Sequence, residues 1–228
     1  MTTIATTHRA SAWWVPFALV VLSLVPAISG SLRLTGLAGG PSLMPVDGRI
    51  DASPLPVIVH ILTVIPYSLL GAFQFSSRLR QRHPGWHRMA GRVLVPLAMA
   101  VALSGLWITL AYPTKPGSGL LLFVLRLVVG TGMAVSVIRG FAAIRRGDVP
   151  RHRAWMTRAY ALALGAGTQV FTGAIGPALV GTSVLAHDLT MGAAWAINLA
   201  VAEVAISRGA ARPSRGRARV AVRGSATT

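Results

Sequence analysis

The feature that most constrains this chain is a series of six apolar stretches, each close to the roughly 20 residues a helix needs to cross a bilayer. They cover residues 12–32, 55–77, 89–112, 119–144, 154–180 and 184–206. Hydrocarbon offers no hydrogen bonds, so a spanning segment must satisfy its own backbone, and a helix does this. The expected fold is all-α, a polytopic membrane bundle of six transmembrane helices. Composition agrees: 53% of the 228 residues are hydrophobic and 12% are charged, about half the ~25% charge of a soluble domain. The fifth stretch is the weakest, because Gly165, Gly167, Gly173, Gly176 and Pro177 interrupt it. Glycine is better tolerated in membrane helices than in soluble ones.

The arginines orient the bundle. Arg78, Arg80, Arg82, Arg88 and Arg92 surround the loop between spans two and three. Arg139, Arg145, Arg146, Arg151, Arg153 and Arg158 surround the loop between spans four and five. Arg9 precedes span one, and Arg208 begins a basic tail. Against these stand Arg33, Arg49 and Lys115 on the opposite side. Positive charge is retained on the cytoplasmic side, so both termini are expected there. The layout expected is a cytoplasmic N-terminus over residues 1–11, a transmembrane domain over 12–207 and a disordered arginine-rich tail over 208–228. Span one also resembles a secretory signal peptide, with a basic residue, an apolar run and the small stretch Ala27-Ile28-Ser29. Its apolar run is long for one, and cleavage would leave five spans in the same orientation.

Basic residues outnumber acidic ones 22 to 5. In a soluble chain this would suggest nucleic acid. Here the arginines sit between apolar stretches, so anionic lipid headgroups are the expected partner. The single lysine, beside many Ala, Gly and Val, fits a GC-rich bacterial genome and hence a bacterial cytoplasmic membrane. With no cysteine, thiolate metal sites, disulfides and cysteine nucleophiles are excluded. There is no phosphate-cradling glycine loop, zinc-protease helix motif or nucleophile elbow. Asp47, Asp51, Asp148, Asp188 and Glu203 form no general acid/base pair by spacing, so a protein-only hydrolase is not expected.

Two basic loops echo each other. His83-Pro84-Gly85-Trp86-His87-Arg88 and Asp148-Val149-Pro150-Arg151-His152-Arg153 each place a His-Arg pair at the start of an outgoing helix. Spans two-three and four-five therefore read as two parallel hairpins, a pattern of repeated membrane folds. The same residues carry a resemblance. His60, Gly71-Ala72-Phe73-Gln74-Phe75, Arg78, Arg80, His87-Arg88 and Gly91-Arg92 resemble the bacterial membrane family catalogued as domain of unknown function 2306. So do Arg146-Gly147-Asp148, His152-Arg153, Trp155-Met156 and Arg158, and then Trp195, Asn198-Leu199 and Ala202-Glu203. One departure is Thr168-Gln169-Val170-Phe171, where similar proteins tend to carry an arginine. The resemblance implies a multi-pass fold and supplies no activity.

Polar residues inside the membrane carry the functional expectation, since they are costly and face the bundle interior. On span two His60, Thr63, Tyr67, Gly71, Gln74 and Arg78 recur at helical spacing and share a face, with Pro66 expected to kink the helix. On span six His187, Met191, Trp195 and Asn198 form a second stripe. In span four Arg126 lies about eight residues, roughly 12 Å, from the outer end. Three functions are open. The first is binding or transport of a small ligand at an internal site around His60, Tyr67, Gln74, Arg126 and Asn198. The second is electron transfer on haem b ligated by His60 and His187, with Arg126 near the propionates. The third is a structural or accessory subunit, in which these groups only hydrogen-bond between helices and Arg126 pairs with Asp188 or snorkels to the interface. At the cytoplasmic boundary His87, Arg88, Arg92, His152, Arg153, Arg158 and Glu203 read either as an anion site or as a clamp of Glu203 to arginines across spans three, five and six.

Overall fold

The computed structural model of the protein describes residues 11–210. The long helices are α1 (Ser11–Leu37), α3 (Leu55–Ala72), α5 (Pro84–Ala111), α6 (Leu120–Arg145) and α9 (Val184–Ala210), with α7 (Val149–Ala163) and α8 (Gly165–Val180) completing the set. Two short turns, α2 (Gly48–Ala52) and α4 (Ser77–Arg82), lie in the connections. Among the described residues there is no strand. Five helices are long and apolar enough to cross a membrane, and α7 and α8, bent by 46° at their junction, pass the same test only together, giving a sixth span when the pair is taken as one. At 1.5 Å per residue neither half exceeds ~24 Å, short of the ~30 Å hydrocarbon core, so neither crosses it alone.

Most boundaries follow the sequence reading, with differences at the ends. Helix α5 begins at Pro84 rather than residue 89, since proline is accepted in a first turn. Helix α9 continues to Ala210 and holds Arg208 in its last turn, so the chain is still helical where the tail was expected to begin. The expectation of disorder beyond it, and that for residues 1–10, falls outside the described residues. Helix α3 runs unbroken through Pro66.

The helices close into a ring. Helix α1 packs on α3, α3 on α5, α5 on α6, α6 on α7 and α9, and α8 links α9 back to α1. Helix α7 also reaches α3 and α5, so it fills the middle of the ring in the arginine-rich half. Its Ala159, Tyr160 and Leu162 join Tyr67, Ala98 and Val137 in the buried core. Close approach depends on small residues, as in membrane helix packing generally. A Cβ on Gly71 would lie 2.6 Å from the Tyr160 ring, and one on Gly140 would strike Met156.

At Leu164 the fifth span leaves the centre. A Cβ on Gly165 would overlap the Trp195 indole, and one on Gly167 would overlap the Leu22 carbonyl. The glycines thus let α8 lie against α9 and α1 at once. Asn198 splints the break: its Nδ2 donates to the Ala161 carbonyl at 3.1 Å, and its Oδ1 accepts from Thr168 at 2.7 Å. The last carbonyls of a helix lack partners in their own helix, and Asn198 supplies one of them.

At the arginine-poor face a polar knot ties the loops. Asp47 caps α2, and the Arg49 guanidinium holds its carboxylate at 2.9 and 2.7 Å while donating to the Pro113 carbonyl at 3.1 Å. The Tyr112 hydroxyl donates to the Ser53 carbonyl at 2.5 Å. Bonded to Arg49, the Asp47 carboxyl is held at about 2, well below the usual carboxylate range.

Candidate functional site: a central cavity and an arginine face

Where α8 bends away, the arginine-poor half of the ring is hollow. The cavity measures about 340 Å³, enough for on the order of ten waters at ~30 Å³ each and at the small end of ligand sites. Every span contributes to its wall: Pro26 and Gly30 from α1, His60 and Ser68 from α3, Gly105 from α5, Arg126 and Met133 from α6, Gln169 from α8 and Trp195 from α9. Helix α1 is therefore a wall of the site.

His60 and Arg126, two of the five residues expected at an internal site, line this cavity. The other three stand elsewhere. Tyr67 is buried beside the wall, its ring 5.7 Å from that of Tyr160, whose hydroxyl donates to the Ser68 carbonyl at 2.6 Å. Gln74 falls in the 3-10 turn Phe73–Phe75, with a buried Nε2 that has no protein partner. Asn198 is committed to the helix break. The α3 stripe facing the cavity is His60, Ile61, Val64, Ile65 and Ser68, rotated from the expected stripe because Tyr67 and Gly71 are drawn toward Tyr160 on α7.

Arg126 is the seventh residue of α6, about 9 Å along it. None of the ion pairs among the described residues includes it. The alternative partner, Asp188, is 1% exposed and accepts instead from backbone N–H groups at the start of α6. Gly119 donates at 2.9 and 3.1 Å, and Leu122 at 3.0 Å. A Cβ on Gly119 would lie 2.6 Å from that carboxylate, so the glycine admits the cap. Three contributors to the site were not foreseen. Ser104 bonds His60, Gln169 donates to the Met191 carbonyl at 3.2 Å, and Leu164 marks the break. Only the glycines around residue 165 hinted at them.

His187 does not share the cavity of His60. It lines a second hollow with Gly173, Pro177, Thr182, Thr190 and Met191 between α8 and α9. A haem iron held between two imidazoles needs both on one cavity, and the described residues do not present His60 and His187 in that way.

At the arginine-rich face Glu203 of α9 accepts two bonds from Arg158 of α7, at 2.6 and 2.8 Å, the bidentate geometry that suits a guanidinium. The Trp155 ring lies under both Arg158, at 4.9 Å, and Arg139 of α6, at 5.1 Å. The clamp thus joins spans five and six and reaches span four; Arg88 and Arg92 of span three form no ion pair among the described residues. The two His-Arg pairs fall at equivalent positions. The backbone N–H of His87 bonds the His83 carbonyl, and that of His152 bonds the Asp148 carbonyl, each closing a first helical turn. The side chains differ: His152 Nδ1 lies 2.9 Å from the Gly140 carbonyl, whereas His87 Nδ1 is buried without a partner. Arg80 is held below the usual arginine value by burial and by the neighbouring charge of Arg153.

The sequence profile of a family described as "Predicted membrane protein (DUF2306)" matches residues 57–206. That stretch contains the whole ring except α1 and the ends of the chain. No curated protein and no solved structure matches. A multi-pass helical bundle whose matched segment spans α3 to α9 is a member of this family: the chain belongs to the predicted membrane proteins designated DUF2306.

Proposed function

We propose that this protein binds, and in its membrane moves, a small ligand held in the central cavity. The observation that carries the reading is a hollow lined by all six spans whose wall includes an arginine with no carboxylate partner among the described residues. An uncompensated cation inside a membrane span is costly and marks a functional site by default. The arginine asymmetry supports an orientation with the cavity toward the outer side of a bacterial cytoplasmic membrane and both termini in the cytoplasm. The opposite face then meets anionic headgroups. Native mass spectrometry of the purified protein tests the reading. Wild type should release a bound small molecule, and Gly105→Leu should not. A Cβ at Gly105 meets only the His60 ring, at ordinary contact distance, so the larger side chain is expected to occupy the cavity without disturbing the helix contact. A folded wild type with nothing bound, or equal occupancy in the blocked variant, would refute the reading.

A further inference from the structure

The chemistry of the cavity wall narrows the ligand, given that the cavity holds one. Ser104 has a single hydroxyl proton, and it is directed at the Ala100 carbonyl at 2.6 Å, with Val101 a weaker acceptor at 3.2 Å. Its Oγ is then an acceptor toward His60 Nδ1, 3.0 Å away. Two acceptors cannot bond, so Nδ1 carries the imidazole proton and Nε2 of the neutral ring is an acceptor. Nε2 makes no hydrogen bond among the described residues, and the ring lines the cavity. The helix backbone of α5 thus fixes, through Ser104, which nitrogen His60 offers.

Arg126 offers the opposite chemistry, a planar cation suited to forked recognition of an anion. Among the described residues it is the one charged side chain in a mostly apolar wall, where Ile61, Val64, Val101, Val129 and Leu162 outweigh the neutral polar groups of Ser23, Ser68, Thr109 and Gln169. A phosphate monoester carries close to two negative charges at neutral pH and would leave one uncompensated in this setting. A carboxylate carries one. It would also be repelled by the Nε2 lone pair, so the group facing His60 must be a donor. We propose that the cavity selects a small monocarboxylate with an apolar body and a separate hydroxyl or N–H donor, the carboxylate on Arg126 and the donor on His60 Nε2. This rests on the reading of the cavity as a ligand site.

Three matched probes test it: 4-hydroxybenzoate, benzoate and 4-hydroxybenzamide, measured by isothermal titration with the full-length protein in detergent. The hydroxy acid should bind on the order of tenfold or more tighter than its neutral amide, as expected for a charge-assisted bond. Arg126→Gln should abolish that preference. Removing the hydroxyl should weaken binding about two- to tenfold, and Ser104→Ala, which releases the His60 tautomer, should reduce this sensitivity while His60 remains in place. If the amide binds as well as the acid, or the preference survives in Arg126→Gln, the ligand class is wrong while the cavity stands as a site. If the hydroxyl makes no difference in wild type, the role given to His60 Nε2 is overturned. If no probe binds to folded wild type, the ligand class falls, and the cavity reading is decided separately by the native mass spectra of wild type and Gly105→Leu.

Discussion

Asp188 offers the sharpest test of how this bundle is built, because two arrangements of the same residues predict opposite results. In the structure its carboxylate is almost wholly buried and takes the N–H groups of Gly119 and Leu122 at 2.9–3.1 Å. Asp188→Ala removes a helix cap, worth about 0.5–2 kcal/mol, and leaves two sheltered donors without a partner at about 1–3 kcal/mol each where water cannot reach. Some of that is recovered by local relaxation, so a net cost of about 2–4 kcal/mol is expected. At roughly 2–4 °C per kcal/mol for a chain of this size, the midpoint of thermal unfolding in detergent should fall by roughly 4–16 °C. Asp188→Asn keeps one acceptor and loses the charge at the positive end of α6, about 1 kcal/mol, or roughly 2–4 °C. Arg126→Gln breaks no ion pair and should leave the midpoint unchanged or slightly raised. If Asp188 and Arg126 were instead an ion pair, removing either partner would destabilise alike. A small effect of Asp188→Ala, or an Arg126→Gln loss matching it, would refute the capping argument.

Four further outcomes follow from the same contacts. Glu203→Gln should cost only about 0.5 kcal/mol, less in high salt, because the Arg158–Glu203 pair is partly solvent-exposed; a loss several times larger in the same thermal assay would make the clamp a major anchor. Gly167→Ala should destabilise by about 1–3 kcal/mol, since its Cβ meets the backbone of α1, and an unchanged midpoint would mean that α8 does not rest on α1. Because Arg49 depresses the Asp47 carboxyl, this pair stabilises the fold above about pH 4 and that contribution is lost as pH falls toward about 2; Arg49→Gln should return Asp47 to an ordinary carboxylate titration by NMR, and no change would remove Arg49 as the cause. Finally, an absorption spectrum of protein made with haem supplied should show no reduced-minus-oxidised band that depends on both His60 and His187, since they line different cavities; a band lost in each alanine variant would overturn that placement.

The six spans were legible because the bilayer imposes a length and an apolarity that local sequence must meet alone. The clamp was half legible: Glu203 needed an arginine, but choosing Arg158 over Arg92 required the packing of α7 against α9. The cavity wall was legible in its two ionisable residues, His60 and Arg126, because a titratable group within a membrane span stands out in the sequence. It was illegible in Tyr67 and Asn198, which share those helical faces but serve contacts with elements far along the chain, Tyr160 and Ala161. Helical spacing fixes a face only to within a side chain or so, and the α3 face was turned by one such contact. The Ser104–His60 bond joins residues 44 positions apart, and nothing local to either announces it.

The break at Leu164 makes the two halves of the bundle unlike. In the arginine-rich half α7 stands in the middle, its Tyr160 ring packed against Tyr67 of α3; in the other half that place is the cavity. The molecule is therefore a cup with a solid base rather than a tube. Seen from the cavity, the fifth span is floor and wall at once: Leu162 and Ala163 line it from α7, and Gln169 lines it from α8. The two halves of that span are tied to α9 by the bonds of Asn198 and Gln169, and α8 is seated besides by the close approach of Gly165 to Trp195 and of Gly167 to Leu22. The difference between the two halves thus rests on one break in one span and not on the ring around it.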